Sequence, residues 1–182
     1  VNPAIFLALA SATMFIAWWV ATYNRGVRVH QHIRESRSNI DVQLKRRHDL
    51  IPNLVAVCKA YAIHEREVLE TVVTARNQAV TSLQNLKSGY DDENQLVHAV
   101  NQLMTVVENY PQLKADSSFL ALQKELVNTE DRIAAARRFY NANCRSWNVL
   151  RESFPSSLVV KGAPAFYYEV EPLALQTPTV AV

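Results

Sequence analysis

Between Phe119 and Phe154, apolar or small side chains recur at alternating steps of three and four: Phe119, Leu122, Leu126, Thr129, Ile133, Ala136, Tyr140, Asn143, Trp147, Leu150 and Phe154. That spacing is one face of a single long helix, and Pro155 stops it. The same rhythm runs earlier, from Arg25 to Tyr61, through Ile33, Ile40, Leu44, Ile51, Leu54 and Cys58, with Arg37 and Arg47 as polar interruptions. Two shorter helices lie between. His64 to Leu86 turns Val68, Val72, Ala75, Ala79 and Leu83 inward, and 92–110 does so with Leu96, Val100, Leu103 and Val107. Lys59 before a turn at 61–63, with Glu65 and Glu67 after it, suits two opposed helix dipoles. "KSGYDDEN" reads as a loop with Asp91 or Asp92 as cap, and Ser117 or Ser118 caps the last helix. Short connections make neighbours antiparallel, so the predicted bundle is all-α, up-and-down and four-helix, with long first and fourth helices.

The first of these helices carries Pro52 in its middle, where a proline costs about 3 kcal/mol. The apolar phase crosses Pro52 unchanged, so the helix is expected to bend there and not to end. The ring frees the carbonyl of His48, which needs another donor if buried. Asn53 or a side chain of the fourth helix is expected to supply it, and Arg46 or Arg47 to pair with Glu130. "KRRHD" and "NTEDR", with Arg132, then form one polar layer that sets register between the first and fourth helices; the plainer alternative is a solvated charged face.

Ahead of the bundle, residues 4–23 read "AIFLALASATMFIAWWVATY", apolar for about 20 residues and long enough to cross a bilayer core. No side chain before Arg25 is charged at neutral pH; from Arg25 to Arg47, seven cations face only Glu35 and Asp41. A cleaved signal peptide has its charges before the apolar run and a small-residue site at its end, whereas here the charges follow and "ALASA" lies mid-run. Trp18, Trp19 and Tyr23 take the places of an interfacial belt, with Arg25 and Arg28 just beyond. The chain therefore divides into an anchor at 1–24, a helical bundle at 25–158 and an extended, Pro-punctuated tail at 159–182. The positive-inside rule sets the N-terminus outside and the bundle in the cytoplasm.

Chemistry is mostly excluded. A formal net charge of +2 argues against a nucleic-acid partner. "HEREV" at 64–68 is one residue short of a zinc-protease helix, because Val68 stands where the second His would be. His30 and His32 point to different sides of a helix. Cys58 and Cys144 fall at opposite ends of the predicted bundle, on the order of 40 Å apart, so free thiols are expected. Three glycines could hardly build a phosphate loop. No catalytic residue, metal ligand or cofactor site is assigned.

"NIDVQLKRRHDLIPNL", "YAIHERE", "TARN", "NTEDRIAAARRFYN" and "FPSSLV" resemble the LemA family of bacterial membrane proteins, over about Asn24 to Leu158. Ala60 stands where that family often has glycine, and the tail matches only loosely. The resemblance implies a single-pass anchor in a bacterial inner membrane, a four-helix bundle and no catalytic activity. It also implies association with a membrane-embedded zinc metalloprotease of the HtpX type, and one relative belongs to the magnetosome membrane machinery.

Helix lengths add a physical expectation. The outer pair outruns the inner pair by roughly 20 Å at 1.5 Å per residue, leaving a two-helix stalk beside the membrane. The stalk keeps Val29, Ile33, Tyr140, Trp147, Leu150 and Phe154, too wide a set of faces for two helices to cover, so a partner or a second copy is expected there. The tail aromatics Phe166, Tyr167 and Tyr168 emerge at that level; covering the stalk, resting on lipid and joining a neighbour are all open to them. The expected function is a non-catalytic scaffold, homo-oligomeric, that organises the metalloprotease. The alternative is a membrane-shaping protein that engages anionic lipid through Arg25–Arg37 and wedges with its tail.

Overall fold

A computed structural model describes residues 3–62, 64–82 and 88–168, leaving aside the side chains of 88–90. Every regular element among the described residues is helical: α1 (Pro3–Tyr61), α2 (Arg66–Ser82), α3 (Ser88–Val107), α4 (Pro111–Lys114), α5 (Ser117–Glu152) and a short 3-10 turn (Ser156–Leu158). The apolar N-terminal stretch, a candidate membrane span, and the helix read from Arg25 to Tyr61 are one continuous α1 of 59 residues that passes through Pro52. The expected last turn of the second helix, with Leu83 and Leu86, lies outside the described residues, as does the tail beyond Tyr168.

The chain separates into two compact units, one of residues 1–38 with 136–182 and the other of residues 39–135. The second unit holds α2, α3 and α4 entire, with the C-terminal part of α1 and the N-terminal part of α5. Their periodic positions share one core around Leu54, Cys58, Val72, Leu96, Leu103, Leu113, Phe119 and Leu126. Burial of such side chains, at about 25 cal/mol per Å² of apolar surface, holds these helices together. Cys58 and Cys144 are both free and buried. Burial pushes the Cys58 thiol up to about 11, which keeps it protonated and inert at neutral pH.

Two expected caps are corrected. α5 is capped by Asp116, not by Ser117 or Ser118: its Oδ1 accepts the amides of Ser118 at 2.8 Å and Phe119 at 3.0 Å. One carboxylate satisfies two orphan amides here, and Tyr61 donates to its other oxygen at 3.0 Å. α3 begins at Ser88, so Asp91 lies in its first turn, where an anion suits the helix dipole. Between α3 and α5, "PQLK" forms α4 with its proline at the first turn, and Leu113 is buried from it.

In the first unit α1 and α5 run antiparallel. Asn143 Nδ2 donates to the His32 carbonyl at 3.3 Å, the His30 and Trp147 rings lie 5.2 Å apart, and Gly26 abuts Leu150.

Candidate functional site

Arg47 follows Leu44 by three positions and precedes Ile51 by four, so the helix period carries it into the interior of the second unit. Its guanidinium there meets carboxylates from two other helices. Nη1 donates to Glu130 Oε1 of α5 at 2.6 Å, and Nη2 donates to Glu93 of α3. His48 Nε2 lies 2.7 Å from the remaining Glu93 oxygen. The Arg47 and Glu93 side chains keep only 3% and 2% of their surface exposed, whereas Glu130 keeps 46%. Burial alone would raise the Glu93 carboxyl; the His48 hydrogen bond and the Arg47 charge outweigh it and hold the group below its ordinary value.

The proline now has an explanation. Pro52 brings no N–H to the His48 carbonyl, and Arg76 of α2 supplies the donor, Nε to O at 3.3 Å. The expected donors, Asn53 or a side chain of the fourth helix, are not the ones used, and Asn53 is exposed. Arg47 pairs with Glu130, and Arg46 pairs with Glu125 nearer the surface. Arg132 stands exposed and outside the layer. Instead of joining two helices, the layer draws groups from α1, α2, α3 and α5.

A double-mutant cycle tests this account. In Pro52→Ala the restored amide competes for the His48 carbonyl, so Arg76→Met costs less there than in the parent. Thermal unfolding of the four variants in detergent should give a coupling of about 1 kcal/mol. Equal costs in both backgrounds would remove the Arg76 bond as the proline's compensation.

The first unit contains a second constructed feature. "YNANCRSWN" places Tyr140–Asn141 and Trp147–Asn148 seven residues apart, two turns along one face of α5. Each pair grips the backbone of the returning tail. Trp147 Nε1 donates to Ala163 O at 3.0 Å; Asn148 donates to Ala165 O and accepts from its amide, both at 2.9 Å. One step on, Tyr140 donates to Phe166 O at 3.2 Å, and Asn141 exchanges bonds with Tyr168 at 2.9 and 2.7 Å. The asparagines present the tail with the donor and acceptor that a neighbouring strand would. Burial pushes the Tyr140 phenol up to about 12. The Tyr168 ring meets Tyr140 edge-on and lies under the Arg137 guanidinium, 4.7 Å from its centroid.

Tyr140, Trp147 and Leu150, expected as open contact surface, are therefore covered by the chain's own tail, with Val160 closing over Leu150. Val29 and Ile33 are half-buried against the same cluster. The physical reason is the backbone of the tail. Its carbonyls and amides match the polar atoms between the aromatic residues, which an apolar stripe alone does not reveal. Two of the three glycines serve this docking. A Cβ at Gly26 would lie 3.0 Å from Val160, and one at Gly162 would lie 2.9 Å from the Trp147 ring. Phe154, Phe166 and Tyr167 remain exposed. Along the apolar stretch of α1, the Trp18 and Trp19 rings cluster with Phe15 at 5.8 and 6.1 Å, and Tyr23, Arg25 and Arg28 are exposed beyond them.

Comparison with known proteins finds relatives that span most of this chain. Magnetosome proteins MamQ 1 and MamQ 2 of Paramagnetospirillum magneticum are each 25% identical over 207 residues, spanning 99% of this chain and 76% of the relative. Magnetosome protein MamQ of Magnetospirillum gryphiswaldense is 24% identical over 180 residues, 85% of this chain and 66% of that protein. The LemA family model matches residues 36–181. That match takes in the Arg47 layer, the whole helical core and the tail-gripping face of α5, and on it the chain belongs to the LemA family.

Proposed function

We propose that this protein is a non-catalytic, membrane-anchored scaffold that self-associates and organises a membrane-embedded zinc metalloprotease of the HtpX type. Its anchor is a single pass through a bacterial inner membrane, with the N-terminus outside and an up-and-down four-helix bundle in the cytoplasm. The observation that carries this reading is the unbroken course of α1. One helix of 59 residues contains both the apolar span and the Arg47 side of the polar layer, with no loop between them. A helix that joins an apolar span to a buried polar layer without a linker suits an anchored protein that acts by assembly. All three relatives are named magnetosome proteins and none is named for a reaction, which fits that reading.

With Tyr140, Trp147 and Leu150 covered, the contact role passes to aromatics that stay more than half exposed, Phe139, Phe166 and Tyr167. Extraction from native membrane in mild detergent, followed by mass measurement, is the test. An assembly of several copies with the protease retained is expected, and Phe166→Asp with Tyr167→Asp should reduce it to single chains. A lone chain that retains no partner would sink the proposal.

A further inference from the structure

The tail aromatics dock level with Tyr140, which lies opposite Arg37 and Ser36 on α1. That is roughly 20 Å from Tyr23 at 1.5 Å per residue, too far for them to rest on the bilayer that the span enters. A different part of the first unit reaches it. Asn143 pairs with His32, Trp147 with His30 and Leu150 with Gly26, each step forward along α5 matching a step back along α1. Continued one turn further, the same register reaches the level of Thr22 and Tyr23, where the apolar run ends, and Phe154 follows just after α5, which ends at Glu152.

At that level the chain has left α5 and reverses direction. Leu158 N donates to Pro155 O at 3.1 Å, Val159 N to Ser156 O at 3.0 Å, and Ser156 Oγ to Ser153 O at 2.9 Å. Val160 then packs back onto Gly26 and Leu150. The reversal is thus an ordered turn anchored on both sides. It nevertheless presents Phe154 at 81% and Leu158 at 55% exposure. A fold that buries Trp147 and Leu150 within two turns leaves these two apolar residues bare at one place, beside the end of the span. Charge adds to this. Over residues 25–38 and 136–168 the sequence holds nine Arg or Lys against Glu35 and Glu152, and Arg25, Arg28 and Lys161 are exposed.

We propose that the 154–158 turn is a second membrane contact, in which Phe154 and Leu158 enter the interface of the leaflet that α1 leaves while neighbouring cations hold anionic headgroups. Aromatic rings favour that depth, and basic residues just outside it are drawn to anionic lipid. Two contacts side by side fix the rotation of the first unit about its span, which a single helix leaves free. The proposal rests on α1 crossing a bilayer and is independent of self-association or a protease.

Photo-crosslinking of the full chain in vesicles of phosphatidylethanolamine and phosphatidylglycerol tests it. With Phe154→p-benzoylphenylalanine, illumination should give lipid adducts by mass spectrometry. The same replacement at Phe139, also more than half exposed but about four turns from the span end, should give none. Adduct yield at 154 should fall in phosphatidylcholine vesicles. Adducts to protein alone at 154, or no lipid adduct there, overturn the contact; equal yields in both vesicle types overturn the headgroup part. As both residues are exposed, Phe154→Asp should fold normally yet speed tryptic cleavage after Lys161 in vesicles, and an unchanged rate counts against insertion.

Discussion

Arg47→Met is expected to destabilise the protein by about 3–5 kcal/mol, because it strands the buried Glu93 carboxylate with only His48 beside it. The Glu130 arm contributes little to that figure, since Glu130 is half exposed and stays hydrated once freed. In thermal unfolding of the full chain in detergent, this corresponds to a fall in Tm of roughly 6–20 °C. Removing all the buried partners together should behave differently. Arg47→Met/His48→Leu/Glu93→Leu exchanges desolvated charge for packing and should recover most of the loss. A triple variant as unstable as the single one would mean that the layer itself, and not the orphaned charge, holds the helices. The same group sets an acid response. Glu93 takes a proton less readily folded than unfolded, so its contribution is complete above its ordinary value of 4.5 and fades as pH falls through the lower folded value. Glu93→Gln should flatten the stability profile below that pH, leaving the less acidic range parallel to the parent.

The layer shows what a sequence yields and what it withholds. Arg47 interrupts an apolar stripe at a position where the helix period demands burial, and its pairing with Glu130 follows from the facing helices. Glu93 was open to the same reasoning. It precedes Leu96 by three and falls in phase with Leu96, Val100, Leu103 and Val107, but the run of acids around it reads as a cap. Arg76 offered no such signal, because it lies beside the buried stripe of α2 and acts through the length of its side chain. The long helices were legible because 3.6-residue periodicity accumulates over many turns. The tail was not. Its recognition runs through backbone atoms, which carry no sequence code, and the legible side of it is the repeated aromatic–asparagine pair on α5. The expectation of an uncovered stalk failed, and of the roles left open for the tail its bonds to α5 decide for covering it, a choice that counting apolar faces could not make.

Trp147→Ala should release that strand. The indole is 7% exposed, packs beside His30 and under Gly162, and donates to Ala163. Truncating a tryptophan buried in this way costs about 3–5 kcal/mol. The loss falls on the docking of residues 160–168, so its clearest readout is local. The amides of Ala165 and Tyr168, held by Asn148 and Asn141, should exchange roughly a hundredfold faster or more, as each 1.4 kcal/mol is worth a factor of ten. Core amides of α2 and α3 should keep their protection, because neither helix contributes to the Trp147 cluster. Gly162→Ala should act in the same direction by forcing the tail off the ring. Asn148→Ala should be milder, leaving the indole in place while removing one donor and one acceptor at about 1 kcal/mol each. Unchanged exchange at Ala165 and Tyr168 in Trp147→Ala would mean that the asparagines alone hold the strand. Acceleration spread equally through α2 and α3 would mean that the tail braces the whole fold.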